Sequence, residues 1–328
     1  MEILLPRMLC LSNIEETLKV CQEVRTNQNV VLDGQNYHYG SPLGLAMLKA
    51  SLHSDHECRC KNIVWMPANK VSYLERIDFF EGVSCPGVQL TNNARKDQSA
   101  RLFEITPMNN DLEAEDIATK VASTMSKSIE AEVKSKVLVQ DFDIEKVTKP
   151  LRYLISELLL NATTHAKRHG RYKSKAWVAA QKSSECNLEI AIVDDGCGIL
   201  RTLLDQFEED ERTHENALMK AMLPLTSCNL DVDEYGEETS NQGVGLFVAK
   251  DMLQRAGGSL QIITGNALYD STLSYLPKRA QQFRRLQHHW DGVAVAITVP
   301  CTKIYGVKPA DSLEKIPQQK TLVEITYD

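Results

Sequence analysis

Apolar residues in the amino-terminal third of this chain alternate between runs with strand-like spacing and stretches with helical spacing. Short apolar runs bounded by turn residues at 2–6 (EILLP), 29–33 (NVVLD) and 62–67 (NIVWMP) predict buried strands. Between them the pattern turns helical. Ser12 followed by Glu15 fits a capping box, with Ile14, Leu18 and Cys21 on one face behind it. The stretch 41–52 (SPLGLAMLKASL) opens on Ser then Pro, as a helix start does, and 71–80 (VSYLERIDFF) predicts a third helix. Strands alternating with helices make a small α/β domain. The polar, aperiodic stretch 91–100 (TNNARKDQSA) marks the boundary after it.

Within this region, VVLDGQNYHYGSPLGLAMLKASL resembles the central strand, loop and helix of STAS domains, the family of anti-sigma factor antagonists. In that family the loop carries Asp-Ser-Ser-Gly-Leu with a phosphorylated serine. Here Gly44 and Leu45 align with the Gly-Leu, but Ser41, Pro42 and Leu43 precede them, so the phosphoacceptor position is lost. Ser41 reads as a helix cap. The resemblance implies a docking or sensing module without chemistry of its own.

Three later segments carry candidate chemistry. In 150–166 (PLRYLISELLLNATTHA), Leu151, Leu154, Ile155, Leu158 and Ala162 recur at helical spacing, and Pro150 suits a helix start. Glu157 and Asn161, four apart, share a face. Asn161 can offer a hard oxygen to Mg²⁺, and Glu157 can accept a proton from an attacking hydroxyl or water. Taken alone, an exposed polar patch on an amphipathic helix is the simpler reading. In 187–200 (NLEIAIVDDGCGIL), alternating Leu188, Ile190 and Ile192 form a strand that runs into Asp194, Gly196 and Gly198. A carboxylate there can accept a hydrogen bond from an exocyclic amino group such as adenine N6, although an ordinary Asp-Gly turn fits too. In 241–262 (NQGVGLFVAKDMLQRAGGSLQI), Gly243 and Gly245 precede a helix carrying Leu246, Val248, Ala249, Met252 and Leu253. Gly257-Gly258 ends it. Glycines at a helix N-terminus present backbone N–H groups to an anion such as phosphate. The segment matches neither the P-loop nor the full G-x-G-x-x-G pattern.

In order, Glu-x-x-x-Asn on a helix, Asp-x-Gly-x-Gly after a strand and Gly-x-Gly-Leu opening a later helix resemble the GHKL ATPases, the family of gyrase, Hsp90, histidine kinases and MutL. The resemblance runs over roughly 101–300 and implies ATP and Mg²⁺ as ligands. It makes Glu157 the general base, Asn161 the Mg²⁺ ligand and Asp194 the adenine reader. It gives Gly196 and Gly198 to the adenine pocket, and Gly243, Gly245 and Leu246 to nucleotide binding. The closing strand is expected at 290–300 (WDGVAVAITVP), where the family's frequent Gly-Thr is replaced by Gly292-Val293. The fold expected is therefore α/β. A small STAS-like α/β domain spans 1–95. A Bergerat-type α/β sandwich, a mixed sheet covered by helices, spans 96–300 with a lid at about 199–242. A tail or added strand follows at 301–328, where 321–328 (TLVEITYD) alternates.

Composition narrows the classes. The 328 residues hold 37 Lys plus Arg against 44 Asp plus Glu, a net charge of −7. With a pI near 5.7, nucleic acid is disfavoured as a partner. No apolar run reaches a membrane span and no signal peptide opens the chain, so a cytoplasmic protein without a membrane partner is expected. Nine scattered cysteines read as reduced thiols. His53, His56, Cys58 and Cys60 read as a polar loop rather than a zinc site, because no second ligand pair lies nearby. Lys278, Arg279, Arg284, Arg285 and Arg255 read as a solvated face or hairpin extension.

Residues 111–149 hold no histidine, which disfavours an autophosphorylating histidine kinase. Only 28 residues follow Pro300, too few for a domain that delivers a catalytic lysine, although Lys303 or a partner chain can serve. The function expected is an ATP-binding regulatory protein that uses Mg-ATP for phosphoryl transfer or a lid-closing switch, similar to anti-sigma factor serine kinases. The alternative is a non-kinase ATPase or an ATP sensor that recruits a partner. A protein partner is expected, a homodimer being one form of it.

Overall fold

The computed structural model describes residues 1–27, 29–53, 61–90, 101–136, 142–164, 166, 174–226, 243–275 and 282–316. His56, Cys58, Cys60, the 91–100 boundary, Lys278, Arg279 and the 321–328 strand lie outside them.

The amino-terminal region runs β1 (Glu2–Leu4), β2 (Met8–Leu9), α1 (Ile14–Thr26), β3 (Val30–Asp33), β4 (Tyr39–Gly40), α2 (Pro42–Leu52), β5 (Lys61–Trp65) and α3 (Ala68–Arg76). Strands β1, β3 and β5 lie side by side in that order, both pairs parallel. Parallel neighbours need crossovers, which α1 and α2 supply. Ile14, Leu18 and Cys21 are buried on α1, as their spacing predicts. The capping box does not form. Ser12 sits in a 3-10 turn at Leu11–Asn13, so Asn13 becomes the N-cap and makes no side-chain cap. Glu15 instead reaches across to the backbone N–H of Gln287 at 3.1 Å and of His288 at 3.3 Å. Ser41 does cap α2, accepting the Gly44 N–H at 3.3 Å.

The larger region runs β6 (Leu102–Met108), α4 (Ala114–Lys136), α5 (Glu145–Thr164), β7 (Ala176–Lys182), β8 (Asn187–Asp194), α6 (Gly198–Thr202), α7 (His214–Ala221), α8 (Gly245–Arg255), β9 (Ser259–Asp270), β10 (Phe283–Pro300) and α9 (Ala310–Leu313). The order β6-β7-β8-β10-β9 makes a five-stranded sheet in an α/β fold, as expected, but the sheet is antiparallel throughout rather than mixed, because each of its neighbouring pairs runs in opposite directions. Strand alternation assigns its two faces. Ala176, Val178, Ala180, Ile190, Ile192 and Val295 pack under α4, α5 and α8. Trp177, Ala179, Ala191, Val193 and Ala294 face the other way, into the amino-terminal region. There α2 covers β7 and β8, and α1 covers β10. Helix α2 is buried on all sides, in keeping with its apolar run over 42–48, and buried Lys49 and Ser51 donate to the Asp78 and Met47 carbonyls.

Pro150 is not the start of α5 but lies inside it. Its missing N–H leaves the Lys146 carbonyl without the usual helical partner, and the Gly306 N–H supplies one at 3.0 Å. Helix α8 stops where the glycines predict. Gly257 turns left-handed at φ 60°, while the Gly258 and Gly257 N–H groups bond Leu253 and Gln254 in a Schellman motif. Strand β9 runs on as far as Asp270, and its end pairs with Phe283, Arg284 and Arg285. That part of the basic segment is thus a hairpin extension. Arg255 is engaged internally, with Asp251 and Asp311. Among the described residues, no helix is long and apolar enough to cross a membrane.

Candidate functional site

A cavity of about 310 Å³ opens between α5, the end of β8, α6, α7 and the start of α8. Its volume sits at the lower end of small-ligand pockets. Helix α5 contributes Tyr153, Glu157, Leu158, Asn161 and Ala162, a stripe recurring at three and four residues. Burial raises the Glu157 carboxyl above the ordinary glutamate range, and a hydrogen bond with the Tyr153 side chain partly opposes it. The Tyr153 phenol is pushed up to about 12, by burial first and then by Glu157.

At the end of β8, Asp194 is only 2% exposed. One carboxylate oxygen accepts the Gly196 N–H at 2.9 Å, and its backbone carbonyl accepts the Trp290 indole N–H at 2.8 Å. Burial drives its pKa up to about 7, with the Gly196 N–H pulling down and Asp195 pushing up. Apolar surface surrounds it, with Ile192, Ile199, Val293 and Val295 among the lining residues. Opposite Val293 on β9, buried Thr264 accepts the Ile199 N–H at 3.1 Å.

Helix α8 begins against α5. A β-carbon on Gly245 would stand 2.7 Å from Glu157 Oε2 and 3.2 Å from Asn161 Nδ2, so only glycine lets the helix start there without displacing them. Val244, the N-cap, makes no side-chain cap, and the first turn carries no acidic residue. The described part of the 199–242 segment is folded into short helical pieces, with Leu203, Ala221 and Thr226 on the cavity rim. Leu313 of α9 joins the lining from the other side, and α9 is tied to α8 by Arg255–Asp311 and Lys315–Asp251.

Residues 146–298 match the family model of the histidine kinase-, DNA gyrase B- and HSP90-like ATPases. This stretch is similar to a GHKL ATPase domain. The match begins at the first turn of α5 and ends near the end of β10, so it takes in every cavity residue named above except Leu313. A curated relative, elongation factor Ts of Chlamydia caviae, is 27% identical over 165 residues, covering 48% of this chain and 49% of that protein. The chain thus spans about half the length of the curated relative it matches. Among solved structures, the histidine kinase domain of the Erythrobacter litoralis EL346 blue-light activated histidine kinase aligns over 90% of this chain and 96% of that one, with 14% identity and a TM-score of 0.27.

Within the matched stretch, Glu157, Asn161, Asp194, Gly198, Gly243, Gly245 and Leu246 line this cavity. Gly196 stands behind it, where its N–H holds Asp194 and a side chain would run into Ala166. Sequence reasoning missed Tyr153 and Trp290. Tyr153 was within reach, since it lies four residues before Glu157 on the same stripe. Trp290 had no local signal, because its role depends on a strand pairing.

Proposed function

We propose that the chain binds Mg-ATP in this cavity and uses it for phosphoryl transfer or for a lid-closing switch, in the manner of anti-sigma factor serine kinases. The observation that carries the reading is the convergence, on one cavity, of a buried strand-end carboxylate, a carboxylate–carboxamide pair and a glycine-opened helix. The residues suit the parts of the nucleotide. Asp194 accepts from the adenine amino group, and Ile192, Val293 and Val295 offer the ring an apolar wall. The start of α8 offers backbone N–H groups to the phosphates. Asn161 would supply an oxygen ligand to magnesium, whose bound charge would offset that of the phosphates. Glu157, half-buried next to Asn161 and the start of α8, is placed to receive the proton of the attacking hydroxyl or water.

A purely structural or sensing site has no need of a half-buried carboxylate next to the phosphate end, and Glu157 therefore favours turnover. The amino-terminal region, with its STAS-like strand, loop and helix, is assigned the part of a docking or sensing module. A protein partner, or a second copy of the chain, supplies the acceptor or the response. Calorimetry with Mg-ATP tests the binding, and incubation with γ-labelled ATP, with and without cell lysate, tests the outcome. Label on protein marks a kinase, and free phosphate an ATPase. Binding with neither leaves a sensor, and no binding refutes the reading.

A further inference from the structure

The wall behind Asp194 is built partly by the amino-terminal region. Trp290, 1% exposed, donates its indole N–H to the Asp194 carbonyl. Arg25, in the last turn of α1, lays its guanidinium over the same indole, 3.7 Å from the ring centroid. Its Nη1 lies 3.6 Å from Asp291 Oδ2, and only 11% of the Arg25 side chain is exposed. Strand β10 breaks register on both sides of Trp290, which pairs with Gly265 between the two irregularities. Gly292 presses on the same point. A β-carbon there would overlap both the Asp194 carbonyl oxygen and its Oδ1. Any shift of residues 290–292 is therefore felt at Asp194.

We propose that Arg25 is a positioning residue for Asp194, acting through Trp290, so that helix α1 sets how well the cavity tells adenine from a purine lacking the 6-amino group. The proposal rests on the nucleotide reading above. A desolvated cation over an indole face is held by the ring quadrupole. That contact fixes the ring plane, and the ring plane aims the N–H at the carbonyl that locates Asp194. Hydrogen bonds weaken steeply with misalignment, so a carboxylate that reads one donor depends on this alignment. The positive charge also favours ionised Asp194, against the effect of burial. A purine without the amino group makes no bond to Asp194 and does not register its position. Glu15 anchors α1 to β10 independently, through Gln287 and His288, so loss of Arg25 leaves the helix attached.

The test measures affinities of the full chain for Mg-ATP and for the magnesium complex of purine riboside triphosphate. Wild type is compared with Arg25→Met, Arg25→Lys and Trp290→Phe. Arg25→Met should lose about five- to tenfold on ATP and little on the analogue. Arg25→Lys, which keeps a cation over the ring, should recover most of the loss. Trp290→Phe, which keeps a ring but lacks the N–H, should resemble Arg25→Met. Equal losses on both nucleotides would reveal a merely structural contact and overturn the proposal, as would an unchanged preference in Arg25→Met. A wild-type chain that binds neither nucleotide overturns instead the reading on which the proposal stands.

Discussion

Replacing Asp194 by Asn is expected to stabilise the protein and to weaken ATP binding, two effects with opposite sign from one atom change. The carboxyl rises from 3.8 to about 7 in the fold because it is buried. A rise of that size separates the protonated and ionised forms by ~4 kcal/mol. The folded pKa lies above the unfolded one, so between about pH 4 and 7 the folded chain holds a proton that the unfolded chain has released. Wild-type stability therefore falls as pH rises through that window, and Asp194→Asn, which has no charge to bury, does not share the fall. The two proteins should unfold at similar temperatures near pH 4, whereas by about pH 8 the variant should be more stable, by up to ~4 kcal/mol and several degrees. Asn can still accept the Gly196 N–H through its one oxygen, so the turn survives, although the Val293 N–H that the carboxylate also accepts then competes for the same atom and offsets part of the gain.

Affinity moves the other way. A hydrogen bond to a charged group contributes about 1.5–3 kcal/mol, so losing the carboxylate should weaken ATP roughly 10- to 100-fold above neutral pH. Wild-type affinity should rise with pH up to about 7 as Asp194 ionises, and the variant's should stay flat. Thermal melts and calorimetric titrations over this pH range read both quantities. Equal ATP affinity in the two proteins would refute the pocket assignment. A variant less stable than wild type at pH 8 would refute the claim that burial strains the charge.

Glu157→Gln should keep ATP binding within about twofold and abolish turnover, because the amide retains the shape but accepts no proton. Turnover in wild type should rise with pH through a value above the ordinary glutamate range, and Tyr153→Phe should move that limb higher still, since the Tyr153 hydrogen bond opposes the rise. Asn161→Ala should weaken the Mg²⁺ dependence of ATP binding, so that adding a chelator changes its affinity far less than it changes wild type's. Gly245→Ala should change stability by no more than about 1 kcal/mol, because the atoms it meets are the free ends of side chains, but should weaken ATP at least tenfold by pushing Glu157 Oε2 and Asn161 Nδ2 aside. A Gly245→Ala variant with normal ATP binding would show that α8 does not need this close approach.

The residues readable from sequence are those whose partners lie nearby in the chain. Glu157 and Asn161 share a face because they are four apart, Asp194 ends an alternating strand, and Gly257-Gly258 stops α8 by local backbone geometry. What was missed was decided by distant segments. Pro150 reads as a helix start until Gly306 supplies a donor for the carbonyl it leaves behind. The Ser12–Glu15 capping box is sound by spacing, yet Glu15 serves a strand 272 residues away.

The same logic explains why the second face of the sheet was silent. In 176–180 (AWVAA) every position is apolar, so period two cannot say which residues face α5 and which face α2. A strand buried on both faces loses its alternation. The apolar runs 176–180 of β7 and 42–48 of α2 are therefore one signal read twice: each needs a partner for a surface that its own region leaves uncovered. They cover one another, and that packing brings α1 to the back of the strand-end carboxylate. Two regions that merely sat side by side would keep a polar face on each. Here both faces are apolar, and contacts run unbroken from Arg25 on α1 through Trp290 to the Asp194 carbonyl.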